Sequence, residues 1–273
     1  MKLLLLGTAA AEAWPAPFCL CHACETARQR GGPNLRTRSN ALLDDDLKID
    51  FGPDTVSQLQ RTGRHLNAVR TLIFTHQHAD HITPPELICA SEPFTRTPLP
   101  SPLVVYGNQQ VMEQLYAEFP EPAKKNLEFR KLRMLQEIET PSGDRVLPMP
   151  ADHVTGAFTL RITRGDKTIF YGHDSGLYPQ ATIDALASGP PLDIALMDCT
   201  HGDDMESNRN HMSIAGVIEM TELLRQRGAI HDHTRVIATH FSHNGNLAHE
   251  ELVRAFLPHG IEVAFDGMTV EVQ

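Results

Sequence analysis

Apolar side chains along this chain come in short clusters rather than in long stripes. Runs at residues 3–6, 47–51, 72–74, 103–106, 158–162, 168–171, 194–197 and 236–238 are rich in Leu, Ile, Val and Phe, and they close on polar or glycine-containing segments. That pattern predicts β-strands. Between them, 55–61, 109–119, 181–187 and 214–227 have helical character. The first follows Pro53-Asp54, a helix start, and the last follows Ser213, an N-cap. Strands come first in runs and then alternate with helices, which predicts a mixed-sheet α/β architecture rather than an all-helical one. No repeat, low-complexity tract or linker interrupts the 273 residues, so one domain is expected. The segment 91–102 carries four prolines and reads as a loop near a site mouth.

Charge narrows the partners. With 24 Lys+Arg against 34 Asp+Glu the formal net charge is −10, and no basic stripe offers phosphate neutralisation, so no nucleic-acid partner is expected. No apolar run approaches the roughly 18 residues needed to span a bilayer, so no membrane partner is expected either. The opening run at 3–6 is too short for a signal segment and runs into Gly7-Thr8. A cytoplasmic protein is the expectation.

Cysteine and histidine usage points to metal. Three of the five cysteines, Cys19, Cys21 and Cys24, crowd together, while Cys89 and Cys199 stand alone. A disulfide framework needs more and better-spaced pairs. Among the 15 histidines the most informative segment is Thr75-His76-Gln77-His78-Ala79-Asp80-His81, directly after the strand at 72–74. Four N/O donors on one strand-end loop can serve two neighbouring ions, His76 and His78 approaching one while Asp80 and His81 swing to the other. Further candidates stand at other strand ends: His153 after Asp152, Asp174 after His173, and His240 after Thr239. Two divalent ions about 3.5–4 Å apart activate water and clamp an anionic substrate, which serves phosphodiesters, thioesters and lactams alike.

A His-x-His-x-Asp-His segment after a strand, followed by a lone His, a strand-end Asp and a Thr-His pair, resembles the metallo-β-lactamase superfamily. The resemblance implies a four-layer αβ/βα sandwich, two mixed sheets flanked by helices, as a single domain over 1–273. It implies that His76, His78 and His153 hold a first ion, that Asp80, His81 and His240 hold a second, and that Asp174 bridges them. The all-N/O donor set suits Zn²⁺, Mn²⁺ or Fe²⁺.

Cys19-Leu20-Cys21-His22-Ala23-Cys24 reads as a closed, tetrahedral structural zinc site, with His22 awkwardly placed to be the fourth ligand. A C-x-C-x-x-C segment beside the full histidine set is similar to the PhnP-type cyclic phosphodiesterases, and also to PqqB-type proteins of quinone-cofactor biosynthesis. PqqB-like chains typically degrade the His-x-His motif, which is whole here. The PhnP-like pattern implies His243, three residues after His240, as the fourth zinc ligand, and it implies a homodimer. His173 departs from that pattern, standing where relatives often carry a small hydroxyl residue.

A phosphodiester hydrolase must protonate a departing alkoxide, and histidine is the usual donor. His211, just before a helix start, is similar to the His-Ser/Thr element of phosphodiesterases of this fold; His201 is the alternative. The expected activity is hydrolysis of a small cyclic phosphodiester by a metal pair, with Asp80 and His211 as catalytic residues; the resemblance implies phosphoribosyl 1,2-cyclic phosphate. An RNA-processing nuclease of the same fold and a PqqB-like accessory protein are the competing expectations. The solvated His231-Asp232-His233 turn takes no part.

Overall fold

The structure, a computed structural model, describes residues 1–204 and 208–273. Strands β1 (Lys2–Gly7), β2 (Asn40–Leu43), β3 (Leu47–Ile49), β4 (Thr71–Ile73), β5 (Leu103–Gly107) and β6 (Leu127–Lys131) occupy the first half of the chain. Strands β7 (Ile138–Glu139), β8 (Arg145–Pro150), β9 (Phe158–Arg164), β10 (Lys167–Gly172), β11 (Ile194–Asp198), β12 (Arg235–Thr239), β13 (Ile261–Val263) and β14 (Met268–Glu271) occupy the second. Helices α1 (His22–Arg30), α2 (Thr55–Thr62), α3 (Gln109–Glu118), α4 (Gln180–Ala187), α5 (Ile214–Gln226) and α6 (His249–Phe256) connect them.

Two seven-stranded mixed sheets result, ordered β14-β1-β2-β3-β4-β5-β6 and β13-β12-β11-β10-β9-β8-β7. In the first, pairing is antiparallel from β14 to β3 and parallel from β3 to β6. The second repeats that scheme, antiparallel from β7 to β10 and parallel from β10 to β13.

Side-chain alternation explains the layering. Leu3, Leu5, Leu43, Ile73, Val104 and Tyr106 enter the core shared with the second sheet. Their neighbours Leu4, Leu6, Leu42, Leu72, Leu103 and Val105 face the opposite way, toward Val111, Met112 and Leu115 of α3. A period of two thus divides β1, β2, β4 and β5 between two apolar layers. Helix α5 lays Val217, Met220, Thr221 and Leu224 inward, and Ser213 caps it by accepting from Gly216 N at 3.2 Å. The result is the αβ/βα sandwich the sequence resemblance implies, with helices on the outer faces.

All eight strands and four helices read from the sequence are present, shifted by a residue or two at their ends. The strands that the pattern did not reveal are mostly at or near sheet edges. β6 exposes Glu128, Arg130 and Lys131, and β14 alternates buried Met268 and Val270 with exposed Thr269 and Glu271. β8 contains Pro148 and Pro150, which are tolerated because the two-residue β7 does not reach them.

One ion cluster ties the sheets together at the end opposite the histidines. Arg164, closing β9, grips the buried Asp144 through Nε and Nη2 at 2.6 and 2.9 Å. It also reaches Asp44 at 2.9 Å and Asp46 at 2.7 Å, in the β2–β3 turn of the other sheet. Arg164→Ala leaves the Asp144 carboxylate buried with, among the described residues, the Thr140 hydroxyl to meet it. Such a loss should lower unfolding free energy by about 2–4 kcal/mol. Urea denaturation should show a lower midpoint at unchanged slope, and Arg164→Lys should restore only part of the loss because it cannot grip bidentately.

Candidate metal centre

The parallel strands of both sheets point their C-terminal ends at one place, where open α/β sheets build sites. β3 runs into Asp50, β4 toward 75–81, β10 into His173 and Asp174, β11 ends at Asp198, and β12 runs into His240. His153 comes from the β8–β9 connection. Asp50, Asp174 and His240 have φ of 57, 53 and 60°, the left-handed region that non-glycine residues adopt at a cost of about 1–3 kcal/mol. The chain turns sharply at each strand end and so aims these side chains inward.

All seven residues expected from the sequence converge. The donor atoms of His76, His78 and His153 lie within 4.8 Å of one another. Asp174 Oδ2 is 2.9 Å from His81 Nε2 and 3.1 Å from His240 Nε2, and Asp80 Oδ2 is 3.0 Å from His81 Nε2. The other Asp174 oxygen faces the first group, 3.8 Å from His153 Nε2. Yet Nε2 of His76, His81 and His240 and Oδ2 of Asp174 are buried without a hydrogen-bond partner among the described residues. Atoms this close without hydrogen-bond angles aim their lone pairs at a shared space, which is the geometry a cation satisfies. The donor set fits divalent metal, with the two Asp174 oxygens facing the two donor groups.

Burial works against the Asp174 charge, but His240 and His81 outweigh it and hold the carboxyl well below its usual range. Burial is the main cause that keeps His76 and His153 below the ordinary histidine value. Burial opposes the charge of His81 and His240 as well, but Asp174 outweighs it and raises both, so a cation bound there would displace their protons and meet neutral imidazoles.

Two buried aspartates that the sequence reading did not single out hold this cluster in place. Asp50 Oδ2 accepts from His81 Nδ1 at 2.8 Å, while Oδ1 accepts from Thr75 N at 2.8 Å. His173, buried against His81 and His240, brings Nε2 to 3.7 Å from the same carboxylate. Asp198 accepts from Asp174 N at 3.0 Å, Thr200 N at 2.9 Å and Met212 N at 3.2 Å. The only sequence signal for either is an Asp closing an apolar strand. Thr200 adds its hydroxyl, 2.8 Å from His240 Nδ1.

A cleft of about 350 Å³ opens over the centre, lined by ligand side chains, His201, His211 and the segment from Ala10 to Glu12. His211 Nδ1 lies 2.9 Å from Asp198 Oδ2, and its ring stacks on that of His240. Burial opposes its charge, but Asp198, with Asp174 and Asp80 behind it, pushes it up to about 9. His201 lines the same cleft with its ring 5.7 Å from that of His211. The proline-rich segment 91–102 was expected near the site mouth, but it borders other hollows, beside Val56, Leu59 and Lys124. The His231-Asp232-His233 turn lines a separate cavity of about 580 Å³.

The cysteine cluster is equally well formed. Sγ of Cys19 and Cys21 lie 3.7 and 3.4 Å from His243 Nδ1, and Cys24 completes a four-donor group. His22 is exposed and outside it. Burial opposes the Cys21 thiolate, but the Cys24 backbone N–H and the neighbouring thiol and imidazole groups bring it down to about 6. Cys21 also caps α1, where the helix N-terminus favours an anion.

Comparison with known proteins agrees with this geometry. A profile described as a beta-lactamase superfamily domain matches residues 47–241. The chain is 26% identical over 316 aligned positions to the coenzyme PQQ synthesis protein B of Pseudomonas fluorescens, spanning 100% of both chains. It superposes with a TM-score of 0.77 and 24% identity on a diphosphatase from the PhnP family, covering 100% of this chain and 98% of that one. Zinc-bound PqqB from Methylobacterium extorquens gives the same TM-score, 0.77, at 18% identity and 100% coverage of both chains.

Two outcomes follow from the metal geometry. Asp174→Ala should lower bound metal and activity together, since its two oxygens face the two donor groups; metal analysis showing two ions retained at the centre would contradict the bridging role. Cys21→Ser and His243→Ala should each lose zinc and lower the melting temperature by roughly 5–15 °C, whereas His22→Ala should do neither.

Proposed function

The chain belongs to the beta-lactamase superfamily, and on that premise we propose that it is a metal-dependent phosphodiesterase of small cyclic phosphates such as phosphoribosyl 1,2-cyclic phosphate. The observation that carries this reading is the Asp198–His211 pair, poised at 2.9 Å on the wall of the cleft that holds the metal donors. Divalent ions bound there would supply Lewis acidity toward a phosphoryl oxygen and a water nucleophile. The protein's own part is positional. Asp198 occupies His211 Nδ1 and favours the charged ring, so the imidazole carries its proton at neutral pH and gives it from Nε2 to a departing alkoxide. Asp80, in the second donor group, borders the same cleft. The cleft suits a small substrate, and a diphosphatase of the PhnP family shares this fold.

Full-length similarity to coenzyme PQQ synthesis protein B favours a second reading, a role in cofactor biosynthesis served by the same centre. Purified protein assayed on bis(p-nitrophenyl) phosphate, a 2′,3′-cyclic nucleotide and a precursor tRNA separates the possibilities. Turnover of the first two alone supports the cyclic phosphodiesterase, turnover of the tRNA a nuclease, and no turnover the biosynthetic role.

Leaving-group dependence tests His211. A ribose alkoxide needs a proton to depart, whereas p-nitrophenolate leaves unaided. His211→Ala should therefore lose about 10²–10⁴-fold on a cyclic ribose phosphate and much less on the nitrophenyl ester, with metal content unchanged. Equal losses on both would assign His211 to phosphate positioning, and lost metal would make it a ligand.

A further inference from the structure

The cleft has two unlike walls. One is the metal-donor wall with His211; the other is formed by Ala10, Ala11, Glu12, Ser242 and Asn244. A phosphodiester whose phosphate lies against the donor wall must direct its alcohol part toward the other. Resting on the phosphodiesterase reading above, we propose that Glu12 on that second wall selects the substrate by accepting hydrogen bonds from sugar hydroxyl groups.

Glu12 is placed for this. Ser242 donates its hydroxyl to Glu12 Oε1, and His243 Nε2 stands 3.8 Å from the same oxygen. These contacts hold the carboxylate through Oε1, and the side chain remains 30% exposed and lines the cleft. Ala10 and Ala11 beside it leave room for a ring, and Ser242 and Asn244 are neutral, so Glu12 is the ionisable group of this wall. An ionised carboxylate only accepts hydrogen bonds, so its complement is a hydroxyl or amine donor. A ribose carrying a cyclic phosphate presents free hydroxyls beside the reacting ester, and an aryl diester presents none. The backbone after His240 holds both Ser242 and His243, so the recognising carboxylate is registered to the metal centre through only a few bonds.

The test compares full-length, metal-loaded wild type, Glu12→Gln and Glu12→Ala on ribose 1,2-cyclic phosphate, its 3-deoxy analogue and bis(p-nitrophenyl) phosphate. In Glu12→Ala the ratio of kcat/KM on the ribose ester to that on the aryl ester should fall about 10–100-fold, the size of a hydrogen bond to a charged acceptor. Wild type should discriminate against the 3-deoxy or another singly deoxygenated ribose ester, and Glu12→Ala should lose that discrimination, a coupling that a merely structural role would not produce. Glu12→Gln should fall between the two. A ratio unchanged within about twofold would overturn the proposal, as would equal losses on all substrates accompanied by loss of the cysteine-site zinc, which would make Glu12 a support for His243. Wild type inactive on every phosphodiester would overturn the phosphodiesterase reading itself, and this inference with it.

Discussion

A carboxylate removed from water must be met by positive or hydrogen-bonding groups, and three such carboxylates, Asp50, Asp174 and Asp198, lie buried where the two sheets meet. The local backbone is organised around meeting them. Asp50 gathers the Thr75 amide and the His81 ring, fixing the start and end of the histidine loop. Asp198 gathers the amides of Asp174, Thr200 and Met212, drawing three segments onto one oxygen pair. Asp174 is left facing imidazoles from both sheets. Its compensation is therefore shared between donors that no single strand could supply, and the left-handed turns at Asp50, Asp174 and His240 persist because the surrounding contacts over-determine them.

Much of this was legible in the chain itself. Four donors in the 76–81 loop after an apolar strand form a dense local signal, and the strand-end positions of Asp174 and His240 follow from the same period-two reading. Asp50 and Asp198 were not legible, because a single Asp closing a strand is equally the mark of an ordinary turn. Their importance lies in what folds against them, His81 and His211, which lie 31 and 13 residues further along the chain. Helix α1 escaped notice for a different reason: its first turn carries His22 and Cys24, residues read for their chemistry, and its buried face is only Ala23, Cys24 and Ala27. Edge strands β6 and β14 lack the apolar run that marks central strands, since half of their side chains meet solvent.

The two donor clusters are not independent. His240 and His243 share one short stretch of backbone, and Phe241 between them is buried, with the Arg36 guanidinium 4.4 Å from its ring centroid. Closing the cysteine group on His243 therefore limits where His240 can sit. Ser242, on the same stretch, donates its hydroxyl to Glu12. A structural ion at the knuckle would thus act on the reacting end of the molecule through covalent geometry rather than through any long-range field.

The two sheets follow the same scheme of pairing, but the chain does not lay them down in equivalent order. In the second sheet the edge strand β7 precedes its neighbours, whereas its counterpart in the first sheet is β14, which hydrogen-bonds to β1 after every other strand has been made. On the ribosome, then, β1 emerges with one edge uncovered and keeps it so while all of the second sheet is synthesised. Leu3 and Leu5 wait for their inner-core partners through the same interval. The order of translation thus makes the first sheet the last to be finished, its β1 edge closed only by the last strand described.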